Sequence, residues 1–396
     1  MLRIVLLTLA LAGVTSPVSA QSLKSDEVFS SFAISTMNPP NPVLGADGRN
    51  HLAYELLVTN ASRVFVTLDR IETVSAGKTL ATLEGEGLSA MIERFSGEDR
   101  TVPPGGTAIV FMDVSFAAGD KHPASIAARV MAARQNAGAD GKPTPLPADS
   151  PIPASFTFTG ADAKLGAPAV VIEPPLRGKG WLAVNGCCDA ITSHRGAVMA
   201  VNGVLRVPER FAIDWLQLNA QGRLFTGDIN ALSSYAFYGT PVHAVANGRV
   251  VNLYDGADEQ VPAGAVKGIT AESIGGNMLV IDIGGGAYAF YAHMQRGSLK
   301  VKLGEHVRAG DVIGLLGNTG NTDAPHLHFH VMDGTSPLDA NSLPYVFTRF
   351  TGVGVAAIDS LDDVFGKGLP AKIDASRLAG PHIRQLPLNN QVVDFD

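Results

Sequence analysis

The strongest constraint on the fold of this chain is the stretch PHLHFHVMDG, Pro325 to Gly334, which has a histidine at every second position. Side chains alternate between the two faces of an extended strand, so His326, His328 and His330 share one face and the apolar residues between them share the other. Neutral imidazole is a common zinc ligand, and the pattern therefore predicts a strand that lines a metal site. The alternative is a row of surface histidines on an exposed strand.

The rest of the chain also favours strands. Its 396 residues include 43 Gly and 24 Pro, which suit a mostly β protein with many turns. From about residue 28 to 135, alternating runs such as HLAYELLVTN predict an antiparallel β-sandwich of immunoglobulin-like type. No cluster of histidine, cysteine or paired carboxylates stands out there, so we expect this domain to serve spacing or binding.

Five segments are predicted along the chain. Arg3, the apolar run IVLLTLALAGV and the small residues SPVSA indicate a cleaved signal peptide, with an uncleaved anchor as the alternative. We expect export to a periplasm or beyond, with no transmembrane segment in the mature chain. The net charge of −7 carries no basic stripe and argues against nucleic acid. The segments are the signal peptide (1–20), the sandwich (21–140), a Pro-rich linker (141–166), a second β domain (167–346) and a tail packed on it (347–396).

The two cysteines, Cys187 and Cys188, are adjacent in sequence. Neighbouring Cα atoms lie about 3.8 Å apart, closer than usual for a disulfide, so we expect two partly buried thiols. A vicinal or an intermolecular disulfide is the alternative.

Two further segments supply residues that suit a metal site. ERFAIDWLQL places Asp214 in an apolar run, where a carboxylate is costly to bury unless it is paired or bound to metal. A strand-end Asp in a turn is the alternative. AYAFYAHMQRGSL ends an aromatic strand at His293, before a glycine turn that would suit a residue over a cleft.

From about residue 235 to 332 the chain resembles the lysostaphin/LytM-type zinc metallopeptidases, which cut peptide cross-links in bacterial cell walls. The blocks that match in order and spacing are YGTPVHAVANGRVV, GGNMLVIDIGGGAYAFYAHM, GEHVRAGDVIGLLGNTG and PHLHFH, preceded by RFAIDW. The resemblance implies a LytM-like antiparallel β-sheet or barrel domain with one Zn²⁺. It assigns Asp214 and His328 to the metal, and His293 and His326 to the catalytic pair.

One ligand of that family is missing. The resemblance implies a histidine four residues before the Asp, and Arg210, whose guanidinium cannot ligate a cation, stands there. Either His194 or His330 would complete the site. We favour His194, which arrives from a separate segment, because His330 would need strong strand curvature to reach the same ion. His194 as a plain loop histidine is the alternative.

The resulting hypothesis is an exported zinc metallo-endopeptidase acting on peptidoglycan peptides. Candidate substrate-binding residues are Arg210, Asn277 and His330, and we expect His243 and His306 to be surface residues. The alternative function is a catalytically silent LytM-like module that binds cell wall or activates another wall hydrolase. In that case Arg210 would bind a carboxylate of the peptide.

Overall fold

The computed structural model describes residues 27–97 and 99–396, so the predicted signal peptide lies outside the described residues. The expectation of a mostly β chain is confirmed. The described residues include two short α-helices, α1 (Gly85–Ala90) and α2 (Ile358–Lys367), and a 3-10 turn at Leu232–Ser234. In this part of the chain no helix has both the length and the apolar character needed to cross a membrane.

The N-terminal half forms two β-sheets around a shared core. One sheet has the order β1-β3-β8-β6, with β2 beside β3, and the other has the order β10-β9-β4-β5, with β7, β11 and β12 added. The strands are β1 (Phe32–Thr36), β2 (Asn41–Leu44), β3 (Arg49–Asn60), β4 (Phe65–Ser75), β5 (Lys78–Glu84), β6 (Ile92–Arg94), β7 (Thr101–Val102), β8 (Thr107–Ala117), β9 (Ser125–Ala137), β10 (Pro143–Pro145), β11 (Ser155–Thr159) and β12 (Ala163–Lys164).

Period-two alternation explains how this core forms. Leu52, Tyr54 and Leu56 of β3 point inward and meet residues of β4 and β9 in one buried cluster. We call this two-sheet unit, residues 27–165, the sandwich. Its immunoglobulin-type strand arrangement stays a prediction.

The Pro-rich stretch 141–166 is not a linker between domains. Its three short strands, β10, β11 and β12, pair one after another along the same long strand, β9. Proline lacks the N–H of a ladder donor and is tolerated on a sheet edge, which is where β10 lies. The prediction of a linker was therefore wrong, because the prolines of this stretch do not prevent its short strands from pairing with β9.

The C-terminal half is organised around a sheet of 13 strands. The order of its main path is β13-β26-β29-β14-β17-β24-β21-β20-β19-β22. The strands of this half are β13 (Val170–Ile172), β14 (Gly178–Val184), β15 (Met199–Val201), β16 (Val204–Arg206), β17 (Ile213–Gln217), β18 (Pro241–His243), β19 (Gly248–Tyr254), β20 (Asn277–Gly284), β21 (Ala287–Met294), β22 (His306–Val307), β23 (Val312–Leu315), β24 (Leu327–Met332), β25 (Ser342–Leu343), β26 (Tyr345–Ala356), β27 (Ile373–Asp374), β28 (Gly380–Gln385) and β29 (Gln391–Phe395).

The segment 347–396 is an integral part of this sheet. Strand β29 lies between β14 and β26 and pairs with both. Phe395 packs edge-on against Trp215 of β17, with ring centroids 5.2 Å apart. The predicted boundary at residue 346 therefore divides β26 and separates strands that share one core. The prediction of a tail packed on the domain missed this pairing, which joins residues far apart in sequence.

The two halves pack closely against each other. Strands β3 and β8 present Glu55 and Phe111 on the face away from the sandwich core. Phe111 forms a buried cluster with residues of both halves, including Ile191 and Val198. A short parallel bridge joins Gly45 to Leu386. The sandwich and the C-terminal half therefore share a buried interface.

Cys187 and Cys188 form a vicinal disulfide at this interface rather than two thiols. The peptide bond between them is cis and their Cα atoms lie 3.1 Å apart. Both residues are buried in the core of the C-terminal half. The expectation of free thiols was wrong, since it assumed the spacing of a trans peptide.

A buried histidine with two carboxylate partners also lies here. Nδ1 of His51 is 3.0 Å from Asp113, and its Nε2 is 3.2 Å from Asp47. Burial alone would lower the pKa of His51, but the hydrogen bonds to Asp113 and Asp47 raise it to about 9. This cluster was missed in the sequence because Asp113 comes from β8, far in sequence from Asp47 and His51.

The sandwich is expected to lose stability as the pH rises. A histidine with a pKa of about 9 in the folded protein and about 6.5 in the unfolded chain stabilises fully below pH 6.5. That contribution, about 3 kcal/mol at most, disappears as the pH rises through 9. Urea unfolding of the wild type and His51→Gln between pH 6 and 9.5 measures it.

The stability gap between the two proteins should shrink over that range. His122→Gln, a change at an exposed histidine in the same domain, serves as the control. The difference in unfolding free energy between the wild type and this variant should not change with pH. A gap between the wild type and His51→Gln that does not change with pH would contradict the ion-pair account.

Candidate metal centre and active site

Two neighbouring strands of the large sheet supply the centre of the site. Asp214 of β17 lies directly opposite His328 of β24 in an antiparallel pair. The side chains of Ile213 and Trp215 enter the core on one face of β17, which leaves the Asp214 carboxylate on the other face. Nδ1 of His328 is 3.0 Å from Oδ1 of Asp214. The alternating histidine strand is therefore present as predicted.

His194 reaches the same point from the connection between β14 and β15. Its Nε2 is 3.2 Å from Oδ2 of Asp214. Its Nδ1 donates to the carbonyl oxygen of Ala212 at 3.1 Å, which leaves Nε2, the ring atom facing Asp214, to bind a cation once it has lost its own proton. The potential ligand atoms of His194, Asp214 and His328 all lie within 4.8 Å of one another.

The carboxylate of Asp214 is held in its charged form. Burial would raise the pKa of Asp214, but the charges of His194 and His326 keep it well below its usual range. The amide of Asn185 also donates to Oδ2, at 2.9 Å. Asp214 is thus a buried anion surrounded by imidazoles.

His293 stands beside this group at the end of β21. Its Nδ1 donates to the carbonyl oxygen of Thr319 at 2.7 Å, which leaves the Nε2 lone pair available. Burial, with the neighbouring His326 and His328, holds the pKa of His293 well below its usual range. The ring therefore remains neutral at neutral pH, with the lone pair of its Nε2 unprotonated.

His326 lies opposite His293 and forms the other wall of the cleft. Its Nδ1 donates to the carbonyl oxygen of Ala324 at 2.8 Å, and its Nε2 is 3.3 Å from Oδ1 of Asp214. The rings of His293 and His326 have centroids 4.6 Å apart. Both members of the predicted catalytic pair thus face the same space next to Asp214.

His330 lies behind the site and not on the cleft surface. It is fully buried, and its Nδ1 is 2.9 Å from Nε2 of His328. Its ring packs on Phe290 at 5.0 Å. Among the described residues no hydrogen-bond partner reaches its Nε2. It is placed to orient His328, not to touch a substrate as predicted.

The other two predicted substrate-binding residues are also away from the cleft. Arg210 is buried, and its guanidinium pairs with the carboxylate of Glu55 in the sandwich, where Nε is 3.0 Å from Oε1. Asn277 is buried as well and bonds to backbone groups of Ala257 and Met294. We correct both predictions, because Arg210 is buried against Glu55 and Asn277 is bonded to backbone groups.

Some residues of the site carried no recognisable signal in the sequence. Glu209 lines the cleft, and its carboxylate is 4.0 Å from Nε2 of His328. Asn185 and Thr319 hold Asp214 and His293 through hydrogen bonds. The turn dipeptide Asn-Gly at Asn185 was the available hint, since it ends the strand next to β17.

Two cavities meet at the carboxylate. One of about 520 Å³ is lined by His194, Glu209, His293, His326 and His328 among others. A second of about 330 Å³ is more apolar. Its lining includes Leu216, Leu224, Tyr235 and Phe365. Both include Asp214 and His326 in their linings, so the two cavities adjoin at the histidine cluster.

The donor set suits a zinc ion. Two imidazole nitrogens and one carboxylate oxygen converge, which is the usual number of protein ligands for a zinc site that keeps one position open. The remaining imidazoles, His293 and His326, border that open side. The arrangement combines a cation site with two proton-handling groups.

Comparison with known proteins assigns this region. Peptidase family M23 matches residues 230–340, a range that contains His293, His326 and His328. The chain carries an M23 peptidase domain. The resemblance to lysostaphin-type enzymes is thereby confirmed. Asp214 and His194 lie upstream of the matched range.

Sequence relatives of the M23 domain include glycyl-glycine endopeptidase ALE-1 of Staphylococcus capitis, 30% identical over 116 residues, which are 29% of this chain and 28% of the relative. Lysostaphin of Staphylococcus simulans is 33% identical over 119 residues, 30% and 21% of the two chains. Peptidoglycan DD-endopeptidase ShyB of Vibrio cholerae is 35% identical over 102 residues, 24% and 23%. The match thus spans less than a third of each relative.

Solved structures of M23 proteins also match. The catalytic domain of lysostaphin from Staphylococcus simulans is 23% identical and has a TM-score of 0.22, with 43% of this chain and 88% of that chain covered. A putative peptidase M23 from Pseudomonas aeruginosa is 16% identical, with a TM-score of 0.23 and coverage of 70% and 89%. The family assignment rests on the sequence match.

Proposed function

We propose that this protein is an exported zinc-dependent endopeptidase that cuts peptide bonds in bacterial peptidoglycan. The observation that carries the proposal is the convergence of His194, Asp214 and His328 within 4.8 Å, beside two further histidines in one cleft. The M23 assignment and relatives named glycyl-glycine endopeptidase and peptidoglycan DD-endopeptidase support the substrate class.

In this proposal His194, Asp214 and His328 hold one Zn²⁺. When bound, the ion polarises the scissile carbonyl and makes water more acidic. The carboxylate of Asp214 supplies the negative charge that favours a cation. His330 orients the His328 ring through the bond between Nδ1 and Nε2, as outer-shell partners of metal ligands commonly do.

His293 and His326 handle protons and developing charge. The Nε2 lone pair of His293 is free because Thr319 holds its Nδ1, so this ring accepts a proton from the attacking water. Burial would lower the pKa of His326, but Asp214 raises it above its usual value, so both ring nitrogens carry protons. Nδ1 donates to Ala324, and Nε2 donates to the oxygen that gains charge. The cleft continues into the neighbouring apolar cavity, which gives room for residues on either side of the bond.

Zinc content and hydrolysis, measured on the same preparation, test the proposal. We expect the full chain, purified without chelators, to contain about one zinc per molecule and to release new amino groups from purified peptidoglycan. Removal of zinc by a chelator should abolish release, and added zinc should restore it. His306→Ala, a change at an exposed histidine outside the cleft, should leave both unchanged.

The two readouts separate the alternatives. A chain that takes up no zinc even when the ion is supplied would refute the enzyme and favour a binding or activating module. A zinc-loaded chain that releases no amino groups from peptidoglycan would keep the metal site and refute this substrate class.

A further inference from the structure

The segment that carries His194 is attached to the sandwich on one side through Arg195. The Arg195 side chain is fully buried and donates to the carbonyl oxygens of Cys188, at 2.7 Å, and Met112, at 3.3 Å. Met112 belongs to β8 of the sandwich. The guanidinium also lies 5.7 Å from the ring centroid of Phe111. The residue next to His194 is thus fixed by the neighbouring domain.

A second attachment reaches His194 through Arg210. Glu55 of β3 pairs with the Arg210 guanidinium, and both side chains are buried. Two residues after Arg210, the carbonyl oxygen of Ala212 accepts the hydrogen bond from Nδ1 of His194. The ion pair therefore holds the backbone that sets the ring orientation of His194.

Apolar contacts complete the attachment. Ile191 and Val198, on either side of His194 in sequence, pack on the cluster formed by Met91, Ile109 and Phe111 of the sandwich. Strands β3 and β8 are paired, with Glu55 opposite Phe111, so Glu55, Ile109 and Phe111 lie on one face of this sheet. We call the residues Glu55, Met91, Ile109, Phe111 and Met112 the docking face.

The charges of two buried arginines need the carboxylates that the sandwich supplies. An arginine buried without a counter-ion is strongly unfavourable, and two lie here, Arg195 and Arg210. The carboxylate hydrogen-bonded to Arg210 belongs to Glu55. Burial lowers the pKa of Arg195, and the charges of Glu55 and Asp113 oppose that effect. Carboxylates of the sandwich therefore stabilise the charges of both buried arginines, by a hydrogen-bonded pair at Arg210 and by longer-range attraction, shared with Asp189, at Arg195.

We infer that the sandwich is a positioning element of the metal centre, because its docking face holds the His194 segment in the place that completes the zinc ligand set. This inference rests on the proposed function, since it concerns the same Zn²⁺ site. It assigns Glu55 and Arg195 as positioning residues, although neither lies beside the ion. It also gives the sandwich a role other than binding or spacing.

Zinc affinity of full-chain variants tests the inference. Glu55→Gln removes the charge that holds Arg210, and Arg195→Met removes the donors while keeping much of the side-chain volume. We expect each to weaken Zn²⁺ binding about 10- to 100-fold in competition with a fluorescent chelator. Cobalt substitution, read by visible absorption, should show altered coordination in both variants.

Glu72→Gln is the matched control. Glu72 is likewise a buried carboxylate of the sandwich and pairs with Arg129 and Arg70, but it does not belong to the docking face. Its loss should lower thermal stability without changing zinc affinity. Arg195→Lys, which retains one cationic donor, should recover part of the affinity lost in Arg195→Met.

The outcomes separate this inference from the proposed function. Unchanged zinc affinity and cobalt spectra in both Glu55→Gln and Arg195→Met would overturn the inference and leave the zinc site intact. Equal weakening in Glu72→Gln would assign the effect to general destabilisation and would also overturn it. Failure of the wild type to bind zinc would refute the proposed function itself. If Glu55→Gln does not fold, the zinc affinities of Arg195→Met and Arg195→Lys decide between these outcomes.

Discussion

Replacing His194 with alanine should lower the zinc affinity of the full chain by more than about 100-fold, which exceeds the 10- to 100-fold typical of an outer-shell change. The variant removes one of three groups whose ligand atoms lie within 4.8 Å of one another. The remaining Asp214 and His328 would provide two ligands, fewer than a catalytic zinc site uses. Hydrolysis of peptidoglycan should fall with the zinc content.

His330→Ala makes this experiment discriminating, because His330 is the other histidine that could serve as third ligand. Its Nδ1 bonds to His328 and its ring lies behind the site, so its loss should weaken zinc only by the smaller, outer-shell amount. His306→Ala provides the baseline. Loss of zinc in His330→Ala together with full retention in His194→Ala would show that the ligand assignment is wrong.

The second large effect is expected at His293. His293→Asn should reduce hydrolysis about 10²- to 10⁴-fold while zinc content stays close to one per chain. His293 is absent from the group of converging ligand atoms, and its Nε2 is the lone pair left free by Thr319. Asparagine has no basic nitrogen, so the proton acceptor is lost and the ligands remain.

The choice of asparagine separates chemistry from backbone strain. His293 has a φ of 62°, in the left-handed region that asparagine tolerates better than alanine. The asparagine amide can also donate to the Thr319 carbonyl, which keeps the loop in place. Full hydrolysis with bound zinc in this variant would exclude His293 as the base. Loss of zinc would instead make it part of the metal site.

The local parts of this molecule were predictable from sequence. The alternation in HLHFHV gives a strand with histidines on one face, and Leu327, Phe329 and Val331 are in the core as that period requires. Asp214 in its apolar run is likewise found beside His328. These features follow from the alternation of side chains along a strand and from the cost of burying a charge. Both can be recognised within a few neighbouring residues of the sequence.

Features that depend on distant pairing were not predictable. Arg210 was read as a substrate contact, whereas its partner Glu55 is 155 residues away. No pattern near either residue indicates that both are buried together. The proline-rich stretch 141–166 misled for a related reason, because the edge of β9 that accepts it is defined only by the folded sheet.

The position of His194 shows where sequence reasoning was useful without being sufficient. The missing family histidine at Arg210 pointed to a replacement from elsewhere, and two histidines were available. The geometry of the strand favoured His194 because His330 is only two residues from His328. The contacts that hold His194, through Arg195 and Ala212, became visible only in the structure.

Strand β29 has a consequence for the order in which this protein folds. It is the last strand in sequence, yet it lies between β26 and β14, and β14 pairs with the strand that carries Asp214. The sandwich can close without this strand because its core cluster ends before residue 166. The large sheet must wait for residues 391–395. A chain without residues 391–395 therefore lacks the strand that supports β14 and, through β17, the candidate metal centre.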